Sequence, residues 1–211
     1  MSDSSAAQLL LIAMGGLVAS GKSTLARAIA RERSAAVVVA DDVRNAILGL
    51  AAGDSAHEAT WKRSYAPGLT DAVYAEVLLR ADCALASGRS VVLDACFPTR
   101  SLRAAARKIA VERGAGFLFV ECRADARTIL ERLCARARED GVAVEAWLLI
   151  ASDFRGQSQA ADEMSAREHI VINTTRPLPD NLARLRRRIA ARAQGVRAGK
   201  PAHRHPSHSS K

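Results

Sequence analysis

Between the apolar run Leu9 to Met14 and the helix-like pattern from Leu25 to Arg33 stands Gly16-Leu17-Val18-Ala19-Ser20-Gly21-Lys22-Ser23-Thr24. It matches G-x-x-x-x-G-K-[ST] at every fixed position. A buried-strand pattern before it and a helix after it are the setting in which such a loop cradles phosphate. The glycines let backbone N–H groups turn inward around phosphate oxygens, and the new helix presents the positive end of its dipole to the same anion. On this reading Gly16, Ala19, Ser20, Gly21, Lys22, Ser23 and Thr24 surround a nucleoside triphosphate. Lys22 reaches its β and γ phosphates and the Ser23 hydroxyl ligates Mg2+. The expected bound species are therefore ATP and Mg2+. A chance match would leave only a glycine-rich turn.

Downstream, strand and helix patterns alternate. Ala35 to Ala40, centred on three valines, reads as a second strand. It ends at Asp41-Asp42-Val43-Arg44, where a helix starts with acids in its first turn. Residues 49–66 hold no sustained period and predict a short helix or a mobile loop over the site. From Pro67, the residues Leu69, Val73, Val77, Leu78, Ala81 and Leu85 recur at helical spacing until Ser87-Gly88. Ser90 to Cys96 is the third strand, Thr99 to Arg113 an alanine-rich basic helix, and Gly116 to Cys122 the fourth strand. Asp125 to Arg138 and residues 145–155 read as helices, followed by a polar connection over 156–167. His169 to Thr175 is the fifth strand, and Leu178, Leu182, Leu185 and Ile189 mark a last amphipathic helix.

This alternation predicts an α/β fold, a five-stranded parallel sheet with helices on both faces. Ligands then gather at the carboxyl ends of the strands. The expected organisation is a disordered N-terminus over 1–8, one domain over 9–194 and a basic disordered tail over 195–211. At 211 residues such a domain buries a sizeable core without staples. Cys83, Cys96, Cys122 and Cys134 are scattered without a C-x-x-C pair, so they read as reduced thiols, with neither a disulfide framework nor a zinc site indicated. The apolar run at Leu9 is too short to span a bilayer and lacks the basic flank of a signal peptide, which makes the cytoplasm the expected location and a membrane partner unexpected.

The net charge of +9 raises the question of nucleic acid. Nine basic residues lie from Arg184 onward and no acid follows Asp180, so the whole excess belongs to the last helix and the tail. The body is neutral, and a basic tail is more often a solubilising segment than a specific nucleic-acid site.

Four groups are candidates for chemistry at the rim. Asp41 can accept the proton of an attacking hydroxyl, and Arg44 can hold an anionic acceptor or the transferring phosphoryl. Alternatively Asp41 is a helix N-cap and Arg44 is solvated. Asp94, at the end of an apolar strand, can hold Mg2+, orient Arg44, or be a satisfied strand-end polar group. Arg132 and Arg136 border the core-facing stripe of their helix and can close over the β and γ phosphates, whereas Arg127 and Arg138 read as surface residues; the other reading of all four is a solvated helix face. Trp61, Tyr65 and Tyr74 are stacking candidates for an acceptor, with local packing the plainer account. His203, His205 and His208 lie in the tail without metal spacing.

With these residues placed, the chain resembles the P-loop kinase family of small ATP-binding proteins. That family includes polynucleotide 5'-hydroxyl kinases, zeta-toxin-like kinases and the AAA-type ATP-binding half of fusion proteins related to aminoglycoside phosphotransferases. The resemblance is carried by GGLVASGKSTLARAIA, VVVADDVRNAILG, VYAEVLLRADCALASGRSVVLDACF, the ERLCARA helix and HIVINTTRPLP, from about residue 9 to residue 190. It implies a three-layer P-loop NTPase fold with a small arginine-bearing lid, and an ATP-dependent phosphotransferase acting on a hydroxyl of a small molecule or a nucleic-acid 5' end. The family's general base and acceptor-side arginine fall on Asp41 and Arg44, its lid arginine on Arg132 or Arg136, and the acid after its third strand on Asp94. Two departures stand out. Val18 and Ala19 replace the usual Pro and Gly of the loop, and Gly141 to Trp147 stands where the fusion-protein relatives carry Ser-Asp-Ala. A nucleotide-binding switch without a dedicated acceptor is the alternative from another class.

Overall fold

The structure, a computed structural model, describes residues 8–49 and 67–197. Five strands, β1 (Leu10–Gly15), β2 (Ala36–Val39), β3 (Val91–Asp94), β4 (Gly116–Arg123) and β5 (His169–Asn173), form one parallel sheet in the order β2-β3-β1-β4-β5. The helices between them are α1 (Lys22–Arg33), α2 (Ala40–Ile47), α3 (Pro67–Ala86), α4 (Arg100–Glu112), α5 (Ala126–Asp140), α6 (Val144–Gln157) and α7 (Leu178–Arg197). This is the expected architecture. The short helix or loop expected over 49–66 falls, but for Gly49, outside the described residues, as do Trp61, Tyr65 and the tail histidines.

Because side chains alternate across a strand, the continuous apolar runs divide into two cores. Leu11 and Ala13 of β1 join Val91, Leu93, Phe117 and Phe119 against α3 and α4, through Val77, Ala81, Ala106 and Ala110. Leu10, Ile12 and Met14 face the other way and pack with Val92, Leu118 and Val120 against Leu25 and Ile29 of α1 and Leu185 and Ile189 of α7. A third cluster joins α5 and α6 to the loop through Leu133, Trp147, Ile150 and Val18. Helices α5 and α6 thus pack beside the carboxyl rim as a small separate layer, where the arginine-bearing lid was expected.

Register sets the site. Asp94 pairs with Met14 of β1 and Val39 of β2. The loop leaves β1 one residue beyond Met14, and Asp41 follows Val39 by two, so three distant segments end at one level.

Several boundaries differ from the sequence reading. β3 is shorter than Ser90 to Cys96, which leaves Asp94 as its last residue. β5 stops at Asn173, whose side-chain Oδ1 accepts from the Thr175 backbone N–H at 3.0 Å and turns the chain away from the sheet. α7 runs to Arg197, past Gly195, where the tail was expected to begin. An isolated glycine in a helix weakens it without stopping it.

Candidate functional site

The loop is shaped by two glycines in the left-handed region. Gly16 has φ 117°, and a Cβ there would lie 2.2 Å from the Cys122 carbonyl oxygen. Gly21 has φ 83° and precedes α1, whose N-terminus receives no side-chain cap. The first N–H groups of α1 are therefore left for an anion, as the dipole also favours. Ala19 is left-handed as well, at φ 61°. This is a conformation that disfavours a residue with a Cβ and suits the glycine that the resembling loops carry. Lys22 is buried and its ammonium donates to Leu17 O at 2.8 Å.

A cavity of about 690 Å3 opens over this loop. Among the sequence-predicted residues, Ala19, Gly21, Lys22, Ser23, Thr24, Asp41, Arg44, Asp94, Arg132 and Arg136 all line it. Gly16 and Ser20 do not; they shape the loop from behind, with Ser20 almost fully buried. Arg127 and Arg138 point to solvent, bonded to Glu131 and to Cys134 O.

Asp41 lies in the first turn of α2, but the residue capping that helix is Val39, without a side-chain bond. The N-cap alternative therefore does not hold. Instead Asp41 accepts from Arg44 Nη1 at 2.5 Å and from Arg136 Nη2 at 3.2 Å. Desolvation in the cavity acts to raise its carboxyl pKa, and Arg44, Arg136 and Lys22 together outweigh it and hold the pKa below the ordinary value. The Arg136 guanidinium carbon lies over the Trp147 ring at 4.0 Å from its centroid, a cation–π contact that helps hold the side chain in place.

Asp94 is buried, and its Oδ2 has no hydrogen-bond partner. Burial raises its carboxyl pKa, opposed by a bond from the Ser23 hydroxyl and by the Lys22 charge. An orphaned buried carboxylate oxygen beside a loop serine is a donor set that fits a hard divalent cation. Among the described residues there is no group of three or more His, Cys, Asp or Glu arranged to hold a metal alone. Such an ion would need ligands from elsewhere, as Mg2+ has when it rides on phosphates.

Arg132 is not free at the cavity wall. Its Nη1 donates to Ala19 O and Thr174 Oγ1, each at 3.2 Å, and its Nη2 to Thr174 O at 2.9 Å. Tyr74 lines the cavity yet is buried, with its hydroxyl accepting from the Phe97 N–H at 3.0 Å, so packing accounts for most of it. Sequence reasoning missed Trp147 as the platform under Arg136, and it missed Cys96, Phe154 and Asn181 as lining residues. An aromatic residue in an otherwise ordinary amphipathic helix carries no sign of what will stack on it. Thr174, Thr175, Arg176 and Pro177, the segment that follows β5, also line the cavity.

A five-stranded parallel sheet of this order, with the glycine-rich loop and α1 after its central strand, is a P-loop NTPase-like fold. A family model described as an AAA domain matches residues 11–157, most of the chain, and the chain belongs to that family. Uncharacterized proteins of Mycobacterium tuberculosis and Mycobacterium bovis are 34% identical over 143 residues, which is 62% of this chain and 26% of theirs. The chain thus matches about a quarter of the length of those relatives. Among solved structures, a gluconokinase from Sinorhizobium meliloti superposes with a TM-score of 0.59 at 19% identity, covering 90% of this chain and 97% of that one. The Mycobacterium tuberculosis APS kinase, in complex with AMPPNP and APS, superposes with a TM-score of 0.61 at 18% identity, covering 87% and 98%. These likenesses establish the fold. No helix among the described residues is long and apolar enough to cross a membrane.

Proposed function

We propose that this protein is an ATP-dependent phosphotransferase that moves the γ phosphate of ATP to an acceptor hydroxyl. The observation that carries this reading is the position of Asp41. It shares one cavity with Lys22 and Ser23 but stands on α2, across the crevice from the loop, where a pure nucleotide switch has no need of a base. The loop amides and Lys22 hold the triphosphate, and Ser23 with Asp94 would hold Mg2+, which supplies charge neutralisation at the phosphates. Asp41 takes the proton of the acceptor O–H as that oxygen bonds to the γ phosphorus. The bond from the γ phosphorus to the bridging oxygen breaks, and ADP leaves. Arg44 and Arg136 face the same space and stabilise negative charge on the acceptor or the transferring group. Arg132 borders it from the same face of α5.

The acceptor is a small hydroxyl compound or a nucleic-acid 5' end. The neutral charge of the body favours the former, since long nucleic-acid tracks are basic. The test is a transfer screen with γ-labelled ATP against small alcohols, nucleotide-sugars and a 5'-hydroxyl oligonucleotide. Label is expected on one class and is lost in Lys22→Ala and Asp41→Asn. ATP binding without labelled product from any class would favour the switch.

A further inference from the structure

Thr174 is the first residue after β5, and its backbone N–H is anchored to Arg123 O at 2.8 Å. Its hydroxyl donates to Ser20 O at 2.7 Å. Arg132, on α5, donates to Thr174 Oγ1 and Thr174 O and, with the same Nη1, to Ala19 O. Two successive carbonyls of the loop, Ala19 O and Ser20 O, are therefore gripped by an arginine and a threonine that come from distant elements.

The peptide bond is planar and trans, so its C=O and N–H point in opposite directions. Fixing Ser20 O on Thr174 therefore fixes the direction of the Gly21 N–H, at a residue that lines the cavity. The grip also acts where the loop is least at ease, because Ala19 holds the left-handed conformation at φ 61°. The contact is close: a Cβ on Gly21 would lie 3.0 Å from Thr174 Cβ and 3.2 Å from Arg132 Nη1. Thr174 to Pro177 line the same cavity, so the latch also joins the loop to the segment after β5.

We propose that Thr174 is a positioning residue which, with Arg132, latches the Ala19–Gly21 backbone in its phosphate-ready shape and offsets the left-handed strain at Ala19. The inference rests on the reading that the loop binds ATP, and it needs no knowledge of the acceptor.

The test is calorimetric titration of the full chain with ATP and Mg2+, with melting of each variant checked first. Thr174→Val keeps the shape and removes the hydroxyl, and should weaken ATP binding about tenfold, whereas Thr174→Ser should stay within about threefold of the parent. In an Ala19→Gly background, where the strain is gone, Thr174→Val should cost less than about threefold. Should Thr174→Val not fold, Thr174→Ala carries the same comparison. An unchanged affinity in Thr174→Val, a serine variant as weak as the valine, or an equal loss in both backgrounds would each overturn the latch. Absence of ATP binding by the unaltered chain would instead sink the proposed function, before any variant is compared.

Discussion

Arg136 reaches from α5 to α2 and sets its Nη2 3.2 Å from Asp41 Oδ2, while the same guanidinium lies over Trp147 and its Nε is 3.6 Å from Asp140. The proposed base is therefore held between two arginines, Arg44 on its own helix and Arg136 on α5. With Arg44, Arg136 and Lys22 holding the Asp41 pKa down against desolvation, the carboxylate stays ionised to lower pH than an ordinary aspartate. Asp41→Asn should lower the transfer rate by about 10²- to 10⁴-fold, the usual contribution of general base catalysis. Arg136→Met removes one clamp, so the Asp41 pKa rises and the acid limb of the kcat/KM profile moves to higher pH. A limb that stays in place in Arg136→Met would mean that another group titrates there.

Asp94 gives the opposite sign. Its folded-state pKa is raised by burial, so the ionised carboxylate destabilises the fold without a cation, and stability falls as pH rises through the carboxylate range. Asp94→Asn is expected to raise the melting temperature of the nucleotide-free protein by a few degrees, since about 1 kcal/mol corresponds to roughly 2–4 °C at this size. The same variant should lose most of the extra stabilisation that Mg2+ adds to ATP. Melting curves with and without ATP and Mg2+ separate the two effects, and a variant less stable than the parent in both conditions would exclude a cation role.

The sheet, its parallel order of elements and the cavity's inner wall were legible because each rests on local signals: apolar runs, helical spacing and one loop motif. Asp41, Asp94 and Lys22 could be placed at one rim because parallel strands bring their carboxyl ends together. What could not be read was what each arginine bonds to. Arg132 and Arg136 look alike in sequence, four residues apart on one face of α5. One grips the Ala19 carbonyl and Thr174, and the other lies on a tryptophan eleven residues further on. That division depends on side-chain packing between elements, which leaves no period. The end of β5 was misplaced for a related reason, since Thr174 and Thr175 suit a strand by propensity but are drawn into a turn by Asn173 and the loop.

Arg103 had no sequence signal at all, being one arginine in a basic helix. It is almost fully buried and donates to Glu163 through two nitrogens and to the carbonyls of Phe97, Pro98, Gln159 and Ala160. It thereby fastens the connection between α6 and β5 to α4. Arg103→Ala removes this donor from four carbonyls and a carboxylate, of which Pro98 O keeps the Gln159 N–H at 2.8 Å and Glu163 keeps Arg100 at 3.7 Å, and leaving buried acceptors short of a donor costs about 1–3 kcal/mol. Urea denaturation should show that loss, and Arg103→Lys should recover only a minor part of it, because an ammonium cannot span the same carbonyls. A loss under about 1 kcal/mol would mean that water replaces the guanidinium.

The pair at the edge of the sheet gives a pH prediction that reaches the site. Glu121 on β4 lies 2.9 Å from His169 Nε2 on β5, and that bond, opposed by burial and aided by Arg123, lowers the Glu121 pKa to about 2. The folded-state pKa lies below the unfolded value of about 4.5, so the stabilisation is complete above that pH and is lost as pH falls toward about 2. Its size is on the order of 2 kcal/mol for a carboxylate that is mostly shielded. Glu121→Gln should be less stable than the parent at neutral pH, and the difference should close between about pH 4.5 and pH 2. Because β5 ends one residue before Thr174, loosening this strand also loosens the grip on Ser20. ATP affinity of the parent should therefore fall in acid more steeply than that of Glu121→Gln, as measured by titration at stepped pH, and parallel profiles would separate the edge pair from the phosphate loop.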